Sequence, residues 1–167
     1  PDNDFADAAD AYDRHVGRYG SQLAAGLIQA ARVDPGARVL DIGCGPGPLT
    51  SELAALVGAE RVAAVDPSEA FVQACRARVP GADVRVGAAE RLPFEDATFD
   101  FLGCRFSAHH WRGFEAGLSE ARRVLKPGRT AVFIDSMSPG RAALDTHLQA
   151  VELLRDTSHV RDYSADE

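Results

Sequence analysis

Between positions 41 and 47 the chain reads Asp41-Ile42-Gly43-Cys44-Gly45-Pro46-Gly47, an acid followed by glycine at every second residue. Glycines spaced this way let backbone approach a bound molecule and supply the left-handed conformations of a tight loop. Three adenine-containing ligands use such loops. A nucleoside triphosphate loop needs G-x-x-x-x-G-K-[ST], and no Lys follows these glycines. A dinucleotide fingerprint needs G-x-G-x-x-G, and counting from Gly43 and Gly45 its third position holds Pro48. The chain also lacks a Tyr-x-x-x-Lys pair, so a nicotinamide oxidoreductase is the less supported alternative. Asp41 turns the choice: at a strand tip its carboxylate would repel a pyrophosphate but hold an ammonium through a charge-assisted hydrogen bond. Asp66, which ends the next apolar run before Pro67, is placed to accept from both hydroxyls of a ribose. S-adenosylmethionine carries both groups. Either acid alone also fits a plain turn at a strand end; combined with the glycines they are less easily accidental.

Other reactive residues carry less. His109-His110-Trp111 offers the only concentrated candidates for a base, should an acceptor have to lose a proton. Adjacent side chains point apart, so at most one imidazole would face a site, and capping a helix or filling a loop is the competing role for either. His15, His147 and His159 are scattered and lack the i, i+4 partner of a metal pair, so surface positions and no metal are expected. Cys44, Cys75 and Cys104 form an odd set without C-x-x-C spacing, which suits neither a disulfide framework nor zinc and agrees with a reducing cytoplasm.

Positioning these residues requires strands that end where the acids stand. The segments 38–42, 62–65, 84–86, 99–104 and 131–134 are apolar runs of strand length, and apolar positions at helical spacing lie between them. The helical stretches are 4–16; 20–32, with Leu23, Leu27, Ala30 and Ala31 on one face; one carrying Leu49, Leu53, Leu56 and Val57; one capped by Ser68; one carrying Phe114, Leu118, Ala121 and Leu125; and 142–155. Strands alternating with helices predict a Rossmann-like, doubly wound α/β fold: a five-stranded parallel sheet of order 3-2-1-4-5 covered on both faces. The expected divisions are N-terminal helices and a lid over 1–36, a cofactor-binding core over 37–136 and a helical segment over 137–167.

The 167 residues are 46% hydrophobic and 26% charged, an ordinary globular balance that excludes disordered and fibrous classes. A formal charge of -7 without a basic stripe argues against nucleic acid as partner. No apolar run approaches the roughly 20 residues of a membrane helix, and the acidic opening Pro1-Asp2-Asn3-Asp4 gives the expectation of no signal peptide.

Four segments taken together, Val39-Leu40-Asp41-Ile42-Gly43-Cys44-Gly45-Pro46-Gly47, Glu90-Arg91-Leu92-Pro93-Phe94, Phe99-Asp100 and Arg123-Val124-Leu125-Lys126-Pro127-Gly128, resemble class I S-adenosylmethionine-dependent methyltransferases. The resemblance is nearest to the small-molecule group typified by ubiquinone and menaquinone C-methyltransferases and covers roughly residues 12–167. It implies that Asp41, Gly43, Cys44, Gly45 and Gly47 hold the methionyl end, Asp66 and Pro67 the ribose side, and Ala88, Ala89 and Glu90 the adenine edge. Arg105, with Phe106 and Ser107, would lie beside the methionyl group, and Tyr12 and Tyr19 would belong to a lid. It implies methyl transfer to carbon or oxygen of a small organic acceptor, the alternative being a module that binds the cofactor without turnover. Cys104-Arg105-Phe106-Ser107 is unlike the motif of nucleic-acid amine methyltransferases.

Two departures stand out. Ala88 replaces an acid common in the family, a loss of about 0.5–1.5 kcal/mol for one hydrogen bond. The chain opens without Met and stops before the family's closing strand pair, so it reads as a fragment whose fifth strand is an open edge, prone to pairing with another copy.

Overall fold

The computed structural model describes residues 20–166; the expected helix over 4–16 and the lid candidates Tyr12 and Tyr19 lie outside them. In chain order the elements are α1 (Gly20–Ala31), β1 (Val39–Ile42), α2 (Pro48–Val57), β2 (Val62–Asp66), α3 (Glu69–Arg78), β3 (Asp83–Val86), β4 (Phe99–Arg105), α4 (Phe114–Val124), β5 (Leu125–Ile134) and α5 (Ala142–Arg155). Short 3-10 turns occupy Ala59–Arg61 and Ala108–His110. The strands form one parallel sheet in the expected order β3-β2-β1-β4-β5.

β1 and β2 are buried along their whole length because helices cover both faces of the sheet. On one face Leu40, Ile42, Ala63 and Val65 meet Trp111, Ala121 and Val124. On the other, Val39, Val62 and Phe101 meet Ala24 and Leu27 of α1 and Leu49 and Leu53 of α2. Val72 and Cys75 of α3 close that face over Ala64. Ser68 caps α3 as expected, its hydroxyl accepting from the Phe71 N–H at 3.4 Å.

Three expectations shift. The inward stripe of α1 is buried Ala24 and Leu27 with partly buried Ile28 and Ala31, while Leu23 is 37% exposed and Ala30 is exposed; the expected and observed stripes share Leu27 and Ala31, and the small Ala24 lets the helix approach the sheet. In α4 the buried positions are Gly117, Ala121 and Val124, not Leu118. A Cβ on Gly117 would stand 2.3 Å from the Trp111 ring, so the glycine turns that stripe inward. Finally, β5 begins at Leu125, opposite Phe99, where the helix was expected to continue and six residues before the expected strand start at Ala131. Lys126 is drawn into the ladder by Asp100, both of whose carboxylate oxygens lie 3.0 Å from its Nζ. The Pro127-Gly128 corner falls in the register irregularity that follows, before Thr130 pairs with Phe101. Among the described residues no helix is long and apolar enough to cross a membrane.

Candidate functional site

The carboxyl ends of β1, β2 and β4 converge on the glycine loop. Gly43, Gly45 and Gly47 all adopt positive φ, at 69°, 53° and 91°, yet they are required for different reasons. A Cβ on Gly43 would stand 1.8 Å from the Ser107 hydroxyl oxygen, and one on Gly47 would stand 2.8 Å from the Cys75 sulfur. These two glycines admit neighbouring side chains. Around Gly45 a Cβ would meet nothing within 4 Å among the described residues, so among them the backbone borders open space.

The loop's N–H groups are already committed. Gly43 and Cys44 donate to the Val65 carbonyl at 2.8 and 3.1 Å, and Gly47 donates to the Cys44 carbonyl at 3.0 Å. Gly45 donates to Asp66 Oδ2 at 2.9 Å, and Pro46 has no N–H to give. An anion-binding nest needs several unspent amides aimed at one point. This loop does not provide them, which opposes a pyrophosphate on physical grounds independent of the missing third glycine.

The two acids differ in setting. Asp41, 1% exposed, accepts from the Thr50 hydroxyl at 2.7 Å, and burial pushes its carboxyl up to about 6 against the pull of Thr50 and Arg105. Asp66, 6% exposed, spans the loop and α3: Oδ2 takes the Gly45 N–H, and Oδ1 takes the Ser68 N–H at 2.9 Å. Burial raises its pKa and these two N–H groups oppose the rise. Each carboxylate oxygen accepts more than one hydrogen bond, so Asp66 retains acceptor capacity in a fixed orientation.

The other expected residues spread around this centre. Cys44 is buried with Cys75 beneath the loop, and Pro67 is exposed at its rim. Ala88 is exposed beyond β3 and Ala89 is buried in the core. Glu90 accepts from the Gly113 N–H at 3.0 Å, tying its loop to the start of α4. Arg105, 5% exposed, ends β4 on the sheet face that carries Asp41.

The histidines depart from expectation. His109 and His110 do not point apart: on the 3-10 turn their rings lie 4.0 Å centroid to centroid. His109 is buried, its Nδ1 2.5 Å from Asp135 Oδ1 and its N–H on Asp135 Oδ2 at 3.1 Å. Burial lowers its pKa, but the bond to and charge of Asp135 prevail and the net shift is upward. His147 is exposed as expected. His159 was expected at the surface and is instead buried, Nε2 2.9 Å from Gln149 Oε1, because residues 156–163 fold back over the turn. Val160 and Arg161 donate to the His109 carbonyl at 2.9 and 3.0 Å. His109, Asp135 and Asp162 together resemble a metal triad, but the 2.5 Å contact is too short for two ligands of one cation; bonds of about 2.0–2.2 Å hold tetrahedral ligands more than about 3 Å apart. The contact is a hydrogen bond between imidazole and carboxylate.

Sequence reasoning missed Asp135, Thr50 and Asp162. Asp135 follows β5, as Asp66 ends β2 and Asp41 stands one residue before the end of β1, and that repeated acid near a strand tip was a usable signal. Thr50 and Asp162 act through tertiary contacts that leave no spacing signature.

Comparison with known proteins agrees with this geometry. A family described as a methyltransferase domain matches residues 40–133, over half of the chain. The chain is 48% identical over 100 residues to the protein YafE of Escherichia coli strain K12, covering 59% of this chain and 48% of that protein. It is 32% identical over 107 residues to the demethylmenaquinone methyltransferase of Chlorobaculum tepidum, covering 64% and 44% respectively. The crystal structure of YcgJ from Bacillus subtilis superposes with a TM-score of 0.76 at 31% identity, covering 89% of this chain and 64% of that one. The chain spans about half the length of the curated relatives it matches. Its parallel sheet, its strand-tip acids and the match across its core place this chain in the methyltransferase domain family.

Proposed function

We propose that this chain binds S-adenosylmethionine across the tips of β1, β2 and β4 and serves methyl transfer to a small organic acceptor, with His109 as the base. The carrying observation is a loop with spent amides and an open Gly45, flanked by two buried acids. Such a cradle suits a cationic amino-acid tail and a ribose. When bound, the cofactor supplies an activated methyl whose departure leaves a neutral thioether. The protein then needs chiefly to align acceptor and methyl and to exclude water; orientation contributes about 7–11 kcal/mol.

Asp41 takes the ammonium and Asp66 the ribose hydroxyls, with Gly45 admitting the ligand between them. An acceptor carbon or oxygen that must lose a proton as the new bond forms gives it to His109. Asp135 holds Nδ1, so Nε2 is the nitrogen left to accept that proton, and the partner carboxylate stabilises the imidazolium. The Chlorobaculum relative's name, demethylmenaquinone methyltransferase, supports a demethylated menaquinone as one acceptor class.

The test is calorimetric titration with S-adenosylhomocysteine, then transfer of labelled methyl to a panel of quinols and phenols. His109→Gln and Asp135→Asn are expected to keep cofactor affinity within about twofold and to lower turnover by about 10²–10⁴. Unchanged turnover removes the base, and binding without transfer to any acceptor supports a binding module instead.

A further inference from the structure

Two thiols lie behind the glycine loop. Cys44 stands between Gly43 and Gly45, and Cys75 comes from the middle of α3; both are free and buried, at 4% and 0% exposure. Their side chains share a hydrogen bond inside a shell of Ala64, Val72 and Val84. The Cys75 thiol also donates to the Thr50 hydroxyl oxygen at 3.5 Å, and that hydroxyl donates to Asp41 at 2.7 Å. A chain of two thiols and one hydroxyl therefore ends on the acid at the tip of β1. The third cysteine, Cys104, is fully buried and hydrogen-bonds with Ser107 instead.

The backbone around the pair is arranged to hold this contact. A Cβ on Gly47 would stand 2.8 Å from the Cys75 sulfur and 3.4 Å from the Cys75 Cα, so the loop closes on α3 only because that residue is glycine. Asp66 ties the same two segments together, taking the Gly45 N–H on one oxygen and the Ser68 N–H at the start of α3 on the other. Contact with Cys44 pulls the Cys75 thiol below its ordinary value, with Thr50 assisting and burial opposing. Cys75 is thus the sulfur that ionises first, and the thiolate is the form that reacts. In a reducing environment such a pair rests as two thiols, and its bond, when formed, is transient.

We propose that a peroxide joins Cys44 and Cys75 in a reversible disulfide, and that this bond lowers the affinity of the loop for the cofactor. The second half rests on the reading that S-adenosylmethionine binds here and adds a redox input to it. Gly45, next to Cys44, borders open space among the described residues and gives a small oxidant its way in. The Cys75 thiolate attacks the peroxide: an S–O bond forms, the O–O bond breaks, and the departing hydroxide takes up the thiol's proton as water. The Cys44 sulfur then displaces the sulfenic oxygen, forming the S–S bond and releasing a second water with its own proton. Two thiols lose two electrons and two protons, and one hydrogen peroxide becomes two waters. A dithiol reductant restores both thiols by exchange. Because α3 is anchored by its Ser68 cap and by buried Val72, the loop makes the move from sulfur contact to a bond of about 2.05 Å. That draws the Cys44 N–H from the Val65 carbonyl and the Gly45 N–H from Asp66, which loses the bond that orients it.

The test treats the folded chain with hydrogen peroxide, unfolds it, alkylates the remaining thiols and maps its peptides by mass without reduction. The expected product joins the Cys44 and Cys75 peptides and leaves Cys104 alkylated. Calorimetry is expected to show S-adenosylhomocysteine affinity falling roughly tenfold on oxidation and recovering with dithiothreitol. Cys75→Ala, and Cys75→Ser, which keeps a donor toward Thr50, are expected to bind as reduced wild type does and to ignore peroxide. Alkylation of both Cys44 and Cys75 after peroxide overturns the proposal, as does a cross-linked chain of unchanged affinity or a peroxide effect that survives both substitutions. A reduced wild-type chain that fails to bind S-adenosylhomocysteine instead overturns the cofactor reading, and the peptide map then still decides whether the disulfide forms.

Discussion

At Asp41 the protonation state links the fold to the ligand. Its folded pKa of about 6 lies above the ordinary value of 3.8, so the unliganded fold is favoured as pH falls through 6 toward 4. Above that window the buried carboxylate costs about 3 kcal/mol. Urea melts should therefore show Asp41→Asn more stable than wild type at pH 7.5 and equal to it near pH 4; an advantage that persists at pH 4 contradicts the assignment. The proposed ammonium contact requires the ionised acid, so S-adenosylhomocysteine affinity should decline below pH 6 in wild type and lose that dependence in Asp41→Asn. The glycines separate in the same way. Gly43→Ala collides with Ser107 and should destabilise the fold, whereas Gly45→Ala should cost only about 1 kcal/mol of stability and weaken cofactor binding. Thermal melts paired with titration distinguish them, and equal effects on stability would refute the division of roles. That Asp41, Asp66 and the glycines converge at the strand tips was legible because their types and spacing recur locally. Which glycine borders open space was not, because Ser107 and Cys75 reach the loop from distant segments.

At the level of elements, strand ends and turns bring the chemistry together. His109 sits on the turn after β4 and Asp135 directly after β5, adjacent strands in parallel register. If His109 is the proposed base it must be neutral, so turnover should rise with pH through a pKa above the usual histidine value, and this limb should move to lower pH in Asp135→Asn. An unmoved limb would show that Asp135 does not act on His109. Arg123 performs the matching structural task. From α4 it donates to Glu120, Asp96 and the carbonyls of Leu92 and Phe94, pinning the loop between β3 and β4. Arg123→Ala should lower stability by roughly 2–3 kcal/mol; a loss under 0.5 kcal/mol in urea melts contradicts that. The element order was readable from periodicity alone. The start of β5 was not, since Lys126-Pro127-Gly128 ordinarily terminates structure and only Asp100, reached through the sheet, holds it in the ladder.

For the molecule as a whole, the parallel sheet and its order were legible because apolar strands alternate with amphipathic helices. The enclosure of His109 was not legible, because it depends on residues 156–163, which carry no periodic signal. Among the described residues β5 is a sheet edge, charged at Lys126 and Arg129 and apolar from Ala131 to Ile134. We propose that this apolar half pairs with a second copy: solution scattering should show association at raised concentration, reduced when Val132 is replaced by Lys, and a monodisperse monomer throughout would exclude it. The central claim concerns the strand tips, and titration of the chain with S-adenosylhomocysteine beside NADH tests it most directly. The account predicts saturable one-to-one binding of S-adenosylhomocysteine, weakened by about 1.5–3 kcal/mol in Asp66→Ala, and no binding of NADH. NADH binding, or S-adenosylhomocysteine affinity indifferent to Asp66→Ala, would contradict it.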